Sequence, residues 1–125
     1  MIYTLDLKPI YIGKKKYRLP PSLNNTIHWA QRYKISQEWI TQVGWLCKYQ
    51  KIPRLKKVKL LLRNYSIRGR DLDNLIASGK PIFDGLVKIG VIPDDSPEYV
   101  IEVKAENCKV KKRIDESLVL FITTA

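Results

Sequence analysis

Residues 68–96 read RGRDLDNLIASGKPIFDGLVKIGVIPDDS and hold five of the chain's twelve acidic residues, all of them aspartates. Asp71 and Asp73 are separated by one residue, so on an extended segment both side chains leave the same face and reach a common point. Asp94 and Asp95 form a second acidic position further along. Mg²⁺ binds through a few carboxylates and keeps the rest of its shell for water and phosphate. The stretch therefore predicts that Asp71, Asp73 and Asp95 bind Mg²⁺, with Mn²⁺ as a substitute ion, for phosphodiester chemistry.

A structural role for the same aspartates is the alternative. Aspartate is favoured at helix N-termini, where its carboxylate accepts backbone hydrogen bonds and complements the helix dipole. Taken alone, Asp71 and Asp73 would fit such a capping pair better than a metal site. The second acidic pair, the basic body of the chain and the flanking Arg68 and Arg70 favour the metal site. We expect these two arginines to contact nucleic acid.

The charge of the chain is strongly positive and unevenly placed. The formal net charge is +11 at pH 7, with a sequence pI of about 9.7. The first 70 residues hold sixteen Lys and Arg against two acidic residues, whereas residues 71–125 hold seven against ten. A cationic body around a compact acidic centre suits a polyanion that is held while its backbone is brought to metal ions. A basic surface kept for solubility, or a ribosomal-type binder, would have a similar charge, but the acidic centre favours a nuclease.

The order of these motifs resembles the signature of the RusA family of Holliday junction resolvases, endonucleases common in phages and prophages. An Arg precedes Asp-x-Asp-Asn-Leu, a Lys stands four residues before Asp-Gly-Leu, and Gly-Val-Ile-x-Asp-Asp-Ser follows. A looser likeness over residues 19–24 extends the resemblance to most of the chain. It implies a single α+β domain over residues 1–125, with a mixed β-sheet flanked by helices. It also implies a Mg²⁺-dependent endodeoxyribonuclease that acts as a homodimer on branched, four-way DNA.

One lysine departs from the family pattern, in which the Asp-x-Asp-Asn-Leu run and the lysine lie on one uninterrupted, shorter helix. Counting back from Asp84 places the family lysine at Lys80, whereas counting forward from Asp73 places Ala77 there. Lys80 is preferred because the role needs an amine that adds positive charge beside the phosphate or leaving group. The expected catalytic residues are therefore Asp71, Asp73, Asp95 and Lys80.

Three consecutive lysines near the start are candidates for nucleic-acid binding. Lys14, Lys15 and Lys16 follow Gly13 in a predicted hairpin tip or loop. They would contact phosphates if they faced the substrate, although a solvated run of charge fits the pattern about as well.

A polar segment further on is a second candidate for nucleic-acid binding. The family resemblance suggests that the segment after the two adjacent prolines borders the DNA-binding surface, so Asn24, His28 and Arg32 are expected backbone contacts. His28 is the only histidine of the chain, but it is not assigned to the chemistry. Metal-dependent phosphodiester cleavage does not require a histidine.

Periodicity predicts the main helix and the strand before the acidic stretch. From Ser36, a reasonable N-cap, to about Tyr49, apolar residues recur on one helical face that includes Trp39, which we expect in the core. Alternation from Arg54 to Tyr65 predicts a strand with one strongly basic face. Gly79 and Pro81 divide the next helical stretch into two pieces, and the second is expected over about Pro81–Lys88, ending near Gly90.

The remaining segments read as strands and connections. A tight acidic turn is expected over residues 91–96, and a basic run, residues 109–113, is expected in a hairpin connection between the last two strands. Further strands are expected over residues 1–10, 100–104 and 117–123.

The general class follows from length, hydropathy and cysteine spacing. A chain of 125 residues suits one domain. Its longest apolar run is far too short for a transmembrane helix, and no signal peptide precedes the first strand. A soluble, cytoplasmic protein without a membrane partner is therefore expected. Cys47 and Cys108 lack zinc spacing and are expected to be free thiols.

Two other functions remain open at this stage. One is a metal-dependent nuclease acting on other branched DNA, such as flaps and forks. The other is a catalytically silent DNA-binding protein that keeps the basic surface and uses the aspartates as helix caps; the insertion near Lys80 supports this second option. If the chain forms a homodimer, Trp45 and the apolar face around Leu61 are candidate surfaces.

Overall fold

A four-stranded mixed sheet forms the framework of the computed structural model, which describes residues 1–21 and 28–125. Strands β4 (Val58–Ser66) and β5 (Val100–Lys109) are parallel, whereas β6 (Ser117–Thr124) is antiparallel to both β1 (Ile2–Leu7) and β4. The predicted α+β class with a mixed sheet is confirmed. The order across the sheet is β1, β6, β4 and β5. Strands β2 (Ile10–Ile12) and β3 (Lys15–Tyr17) form a separate antiparallel hairpin.

The alternating pattern of β4 explains its place inside the sheet. Val58, Leu60 and Leu62 are buried on one face, while the residues between them are exposed or half-buried on the other. The strand begins four residues after the predicted start at Arg54. The alternation also continues through Asn64 and Ser66, which are buried although they are polar. The end of β4 therefore places polar groups in the interior, where they need hydrogen-bond partners.

Helix α1 (Trp29–Tyr49) begins well before the predicted N-cap, so that part of the prediction was wrong. Ser36 lies inside the helix, and His28 is the N-cap, where its Nδ1 accepts a hydrogen bond from the Ala30 amide at 3.3 Å. The buried stripe explains the earlier start, because Ile35 extends it by one turn ahead of Trp39. Trp39 is fully buried, as expected.

Two short helices follow β4, as predicted: α2 (Leu72–Ser78) and α3 (Lys80–Ile89). Pro81 lies in the first turn of α3, where its missing amide hydrogen breaks no helical hydrogen bond. The same residue prevents α2 from continuing, since proline cannot donate to the preceding turn. Gly90 ends α3 in the left-handed conformation, with φ of 88°.

The connection between β5 and β6 differs from the predicted hairpin. Strand β4 lies between these two strands, so residues 110–116 cross over the end of β4 instead of turning back beside β5. The crossover includes a 3₁₀ helix, Arg113–Asp115. Two hydrogen bonds join the crossover to the end of β4 and the residue that follows it. The Val110 amide donates to Ser66 O at 3.1 Å, and the Ile67 amide donates to Glu116 Oε2 at 3.0 Å.

Both cysteines are free thiols, as predicted. Cys47 is buried in α1 and Cys108 is half-buried in β5. Burial raises the pKa of the Cys47 thiol to about 11, so this group stays protonated at neutral pH. Among the described residues, none of the helices combines the length and the apolar character that crossing a bilayer requires.

Helices α1 and α3 pack closely because one of the contact residues has no side chain. A Cβ atom built on Gly85 would lie 2.8 Å from Val43 Cβ and 3.3 Å from Ile40 O. Both distances are too short for an unchanged helix pair. The Gly85 position therefore sets how near α3 lies to α1, and through α3 the position of the residues at its start.

We predict that Gly85→Ala lowers the free energy of unfolding by about 1–3 kcal/mol, because the added methyl group forces the two helices apart. Gly44→Ala is the matched control, since its Cβ would lie 3.8 Å from Ile89 Cδ1, an ordinary contact. That variant should gain about 0.5–1 kcal/mol from better helix propensity. Urea unfolding measures the free energy of unfolding of both variants. An equal change at the two positions would contradict the close packing of α1 and α3 at Gly85.

Candidate functional site

The predicted aspartates Asp71 and Asp73 lie at the start of α2, after the loop of residues 67–70 that leaves β4. Asp71 is the N-cap residue and Asp73 lies in the first helical turn, and both are exposed. The expected extended segment is therefore wrong, since α2 begins between the two residues. Side chains two positions apart on a helix do not face each other, so spacing alone does not bring these carboxylates together.

Asp71 occupies the capping position without capping the helix. Its side chain makes no capping hydrogen bond, whereas Oδ1 of Asp73 accepts one from the adjacent Asn74 amide at 2.9 Å. The Asp71 carboxylate is exposed and is not used by the helix terminus. Asp71 can still complement the helix dipole through its charge, but hydrogen bonding at the helix terminus does not account for it.

The other two predicted catalytic residues meet at the start of α3. Lys80 Nζ donates to Asp84 Oδ1 at 2.9 Å and to Asp95 Oδ2 at 3.0 Å. The hydrogen bonds with Asp84 and Asp95 raise the pKa of Lys80, and the bond from Lys80 lowers the pKa of Asp95. The acidic turn is shaped by a further bond from the Asp95 amide to Asp94 Oδ1 at 2.7 Å. The lysine counted back from Asp84 is thus the one that contacts the acidic turn.

The predicted catalytic residues form two pairs. Within residues 1–21 and 28–125, no group of three or more His, Cys, Asp or Glu side chains is placed to hold a metal ion. Asp71 and Asp73 are neighbours in the chain at the start of α2, whereas Lys80 contacts Asp95 at the start of α3. The donor chemistry fits a hard cation, because every candidate ligand is a carboxylate oxygen and Mg²⁺ commonly binds through one or two carboxylates plus substrate phosphate.

Asn107 on β5 holds the loop that leads to Asp71. Its Oδ1 accepts from the Arg70 amide at 3.1 Å, and its Nδ2 donates to Arg70 O at 2.7 Å. The buried Asn64 donates to the same Oδ1 at 3.0 Å. Gly69 has φ of 82°, and a Cβ there would lie 3.3 Å from Asn107 Cγ. This network fixes the backbone next to Asp71. The sequence signals for it are the polar Asn64 and Ser66 at inward positions of β4.

Of the three lysines in the predicted run, one lines a cleft at the end of β4, which Ser66 and Arg68 also line. The run lies in the β2–β3 hairpin, as expected, with Gly13 in the turn at φ of 61°. Lys16 lines the cleft, whereas Lys15 Nζ lies 5.3 Å from the centre of the Tyr17 ring and Lys14 is in the exposed turn. The three lysines are therefore not equivalent.

Of the other predicted DNA contacts, His28 and Arg32 lie near the start of α1. His28 caps α1 and lies against Trp29, with ring centroids 5.7 Å apart. Arg32 is half-buried in the first turns of α1, where its amide donates to His28 O at 3.0 Å. Asn24 lies outside the described residues. His28 therefore has a structural role as the N-cap of α1, and its contact with DNA stays a prediction.

Two arginines near the aspartates are half-buried. Arg70 donates through Nη1 to Pro20 O at 2.7 Å, and Arg18 donates through Nη2 to Asn64 Oδ1 at 2.9 Å. Burial lowers the pKa of both guanidinium groups, and the charge of Arg18 lowers the pKa of Arg70 further. Sequence reasoning had predicted Arg68 and Arg70, which line a small cleft with Asp71, but it missed Arg18. Nothing in the local pattern around Arg18 indicates that it is buried.

Comparison with protein-family models and with curated proteins finds no match to this chain.

We predict that Asn107→Ala lowers the free energy of unfolding by about 1–3 kcal/mol, because the amide and carbonyl of Arg70 and the buried Asn64 lose their partner. Amide hydrogen exchange at Arg70 should become faster. Lys104→Ala on the same strand is the control, because Lys104 is exposed and its ion pair with Glu102 lies at the surface, where it should matter little. Unchanged exchange at Arg70 would show that the loop is held by other contacts.

Proposed function

We propose that this protein is a Mg²⁺-dependent endodeoxyribonuclease that resolves Holliday junctions by paired nicks, in DNA recombination and repair. The observation that supports it most is the exposed Asp71 carboxylate, which is free of capping hydrogen bonds. It lines a cleft of about 390 Å³ together with Arg68 and Arg70. A carboxylate beside two cations is the arrangement needed to bring a phosphate and a divalent ion to one place.

In the proposed mechanism, one or two of the carboxylates of Asp71, Asp73 and Asp95 would hold the ion together with substrate phosphate. Such an ion would supply activation of a water and neutralisation of charge on the leaving oxygen. Lys80 donates to Oδ2 of Asp95 and so orients that carboxylate. The Lys80 ammonium keeps Asp95 ionised and adds positive charge where negative charge develops in the transition state. Arg68 and Arg70 hold the phosphate in line with these groups.

A catalytically silent DNA-binding protein is the second candidate function. The separation of the predicted ligands into two pairs favours it, as does the ion pair in which Lys80 already neutralises Asp95. A nuclease of other branched DNA, such as flaps and forks, would share the site of the first proposal and differ only in its substrate.

We predict that the protein nicks labelled four-way junctions in Mg²⁺ or Mn²⁺ and that EDTA abolishes the nicks. Asp71→Asn should lower the nicking rate more than about 100-fold, because it removes a charged metal ligand, while junction binding persists. Asp6→Asn is the matched control, since Asp6 pairs with Lys8 on the outer strand β1 and should nick normally.

The same assay, run with flaps, forks and plain duplex, separates the alternatives. Binding without nicks in either metal would support the silent binding protein. Equal cutting of flaps and junctions would support the broader nuclease.

Paired nicks on opposing strands need two active sites, so we propose that the protein is a homodimer, with β5 at the interface. Strand β5 ends the sheet, and no strand among the described residues pairs with its outer edge. Val103 on β5 is partly exposed, as are Leu72 and Ile76 on the adjacent α2. Antiparallel pairing of two copies about Val103 would set Glu102 of each opposite Lys104 of the other.

We predict that Val103→Lys makes the protein monomeric, because two lysines would then face each other at the centre of the paired strands. Trp45→Ser is the control. Trp45 is 70% exposed on α1 and represents a second candidate interface, and Leu61, on the open face of the sheet, represents a third. Sedimentation equilibrium measures the mass. A dimer that survives Val103→Lys but not Trp45→Ser would place the interface on α1.

A further inference from the structure

A basic cleft of about 710 Å³ lies at the end of β4, between the β2–β3 hairpin, the loop of residues 67–70 and the β5–β6 crossover. Among the described residues, its lining holds four cations from these three parts of the chain and one carboxylate, that of Glu116. Only the crossover topology brings these parts together. The four cations are Lys16, Arg18, Arg68 and Arg113.

Arg18 is the oriented group of this basic cleft. Its Nη2 donates to Asn64 Oδ1 at 2.9 Å, and its Nη1 lies 3.4 Å from Ser117 O. Both acceptors are neutral, so they fix the guanidinium plane without neutralising its charge. A guanidinium has five N–H donors, and two contacts leave the others for a ligand that lies in the cleft. Such a prearranged fork matches the oxygens of a phosphate.

The described residues balance the positive charge of the basic cleft only in part. Among the described residues, none of the four cations forms an ion pair. The one carboxylate, on Glu116, accepts the Ile67 amide at 3.0 Å. Half-burial of Arg18 adds a cost of desolvation that lowers its pKa, and Glu116 opposes this only in part. An anion bound here would supply the missing counter-charge.

The basic cleft continues towards the aspartates. Arg68 and Gly69 line both it and the smaller cleft that contains Asp71. Lys16 and Arg18 also line a third depression, which ends at Arg70. A connected track of cations suits a chain of repeated phosphates better than a single small anion.

We propose that the basic cleft binds backbone phosphates of the DNA at a distance from the cut, with Arg18 as the central contact and Arg113 as the crossover's contribution. The inference rests on the proposed function, because it names the surface that holds a DNA arm while Asp71 acts on another phosphate. Since the contacts are to phosphate, the binding is independent of base sequence.

The test is fluorescence anisotropy of a labelled four-way junction in EDTA, so that cleavage plays no part. Arg113→Gln changes an exposed residue and should weaken binding about tenfold, with a salt slope smaller by about 1. Arg18→Gln should weaken it at least as much. Lys88→Gln removes the same charge from the exposed end of α3, outside the cleft, and should bind within about twofold of the unchanged protein.

A second measurement identifies the anion and guards against misfolding of the Arg18 variant. Inorganic phosphate, compared with chloride at equal ionic strength, should shift the NMR signals of the Ile67 and Gly69 amides in the unchanged protein. If phosphate shifts these signals but Arg113→Gln and Arg18→Gln bind DNA normally, the cleft takes a free phosphate compound, and the DNA proposal is overturned. Equal effects of Arg113→Gln and Lys88→Gln overturn it as well.

Failure of this inference is distinguishable from failure of the proposed function. If nicks occur in Mg²⁺ while Arg113→Gln binds like Lys88→Gln, the nuclease proposal survives without the cleft. If no nicks occur in any metal while Arg113→Gln loses binding, the cleft survives without the nuclease.

Discussion

The parallel pairing of β4 with β5 is the constraint on which the site depends. Two parallel neighbours cannot be joined by a tight hairpin. After the last residue of β4, the chain must therefore return to the opposite end of the sheet before β5 begins. That return contains α2, α3 and the acidic turn, and it brings Lys80 to Asp95. Because β6 then pairs with the other side of β4, the β5–β6 connection crosses the same end of β4 and carries Arg113 there.

A chain of hydrogen bonds joins the basic cleft to the aspartates. Arg18 donates to Asn64, Asn64 donates to Asn107, and Asn107 binds both backbone groups of Arg70, the residue before Asp71. Asn64 is fully buried, so a missing partner would leave an uncompensated polar group in the interior. The network therefore contributes to stability and also sets the position of the Asp71 loop relative to the basic cleft.

The charged residues near the site are of two kinds: some form ion pairs, and others donate to neutral hydrogen-bond partners. Lys80 and Asp95 lie on the surface and neutralise each other. Arg18 and Arg70 are half-buried near one another, and each donates to a neutral oxygen. Grouping like charges in this way is unfavourable for the isolated protein and favourable once a polyanion is bound. This contrast is the physical basis of both the proposed nuclease and the proposed phosphate contacts.

The sequence by itself determined the features that depend on neighbouring residues. Alternation predicted β4, Gly79 with Pro81 predicted the break between α2 and α3, and Gly13 marked the hairpin, because each reflects local backbone preferences. Only the tertiary structure decided that β5 pairs in parallel with β4, since the pattern of a strand does not specify its partner. Tertiary contacts likewise placed Arg18, Asn64 and Asn107 together, because these residues lie far apart in the chain and each alone resembles an ordinary polar residue.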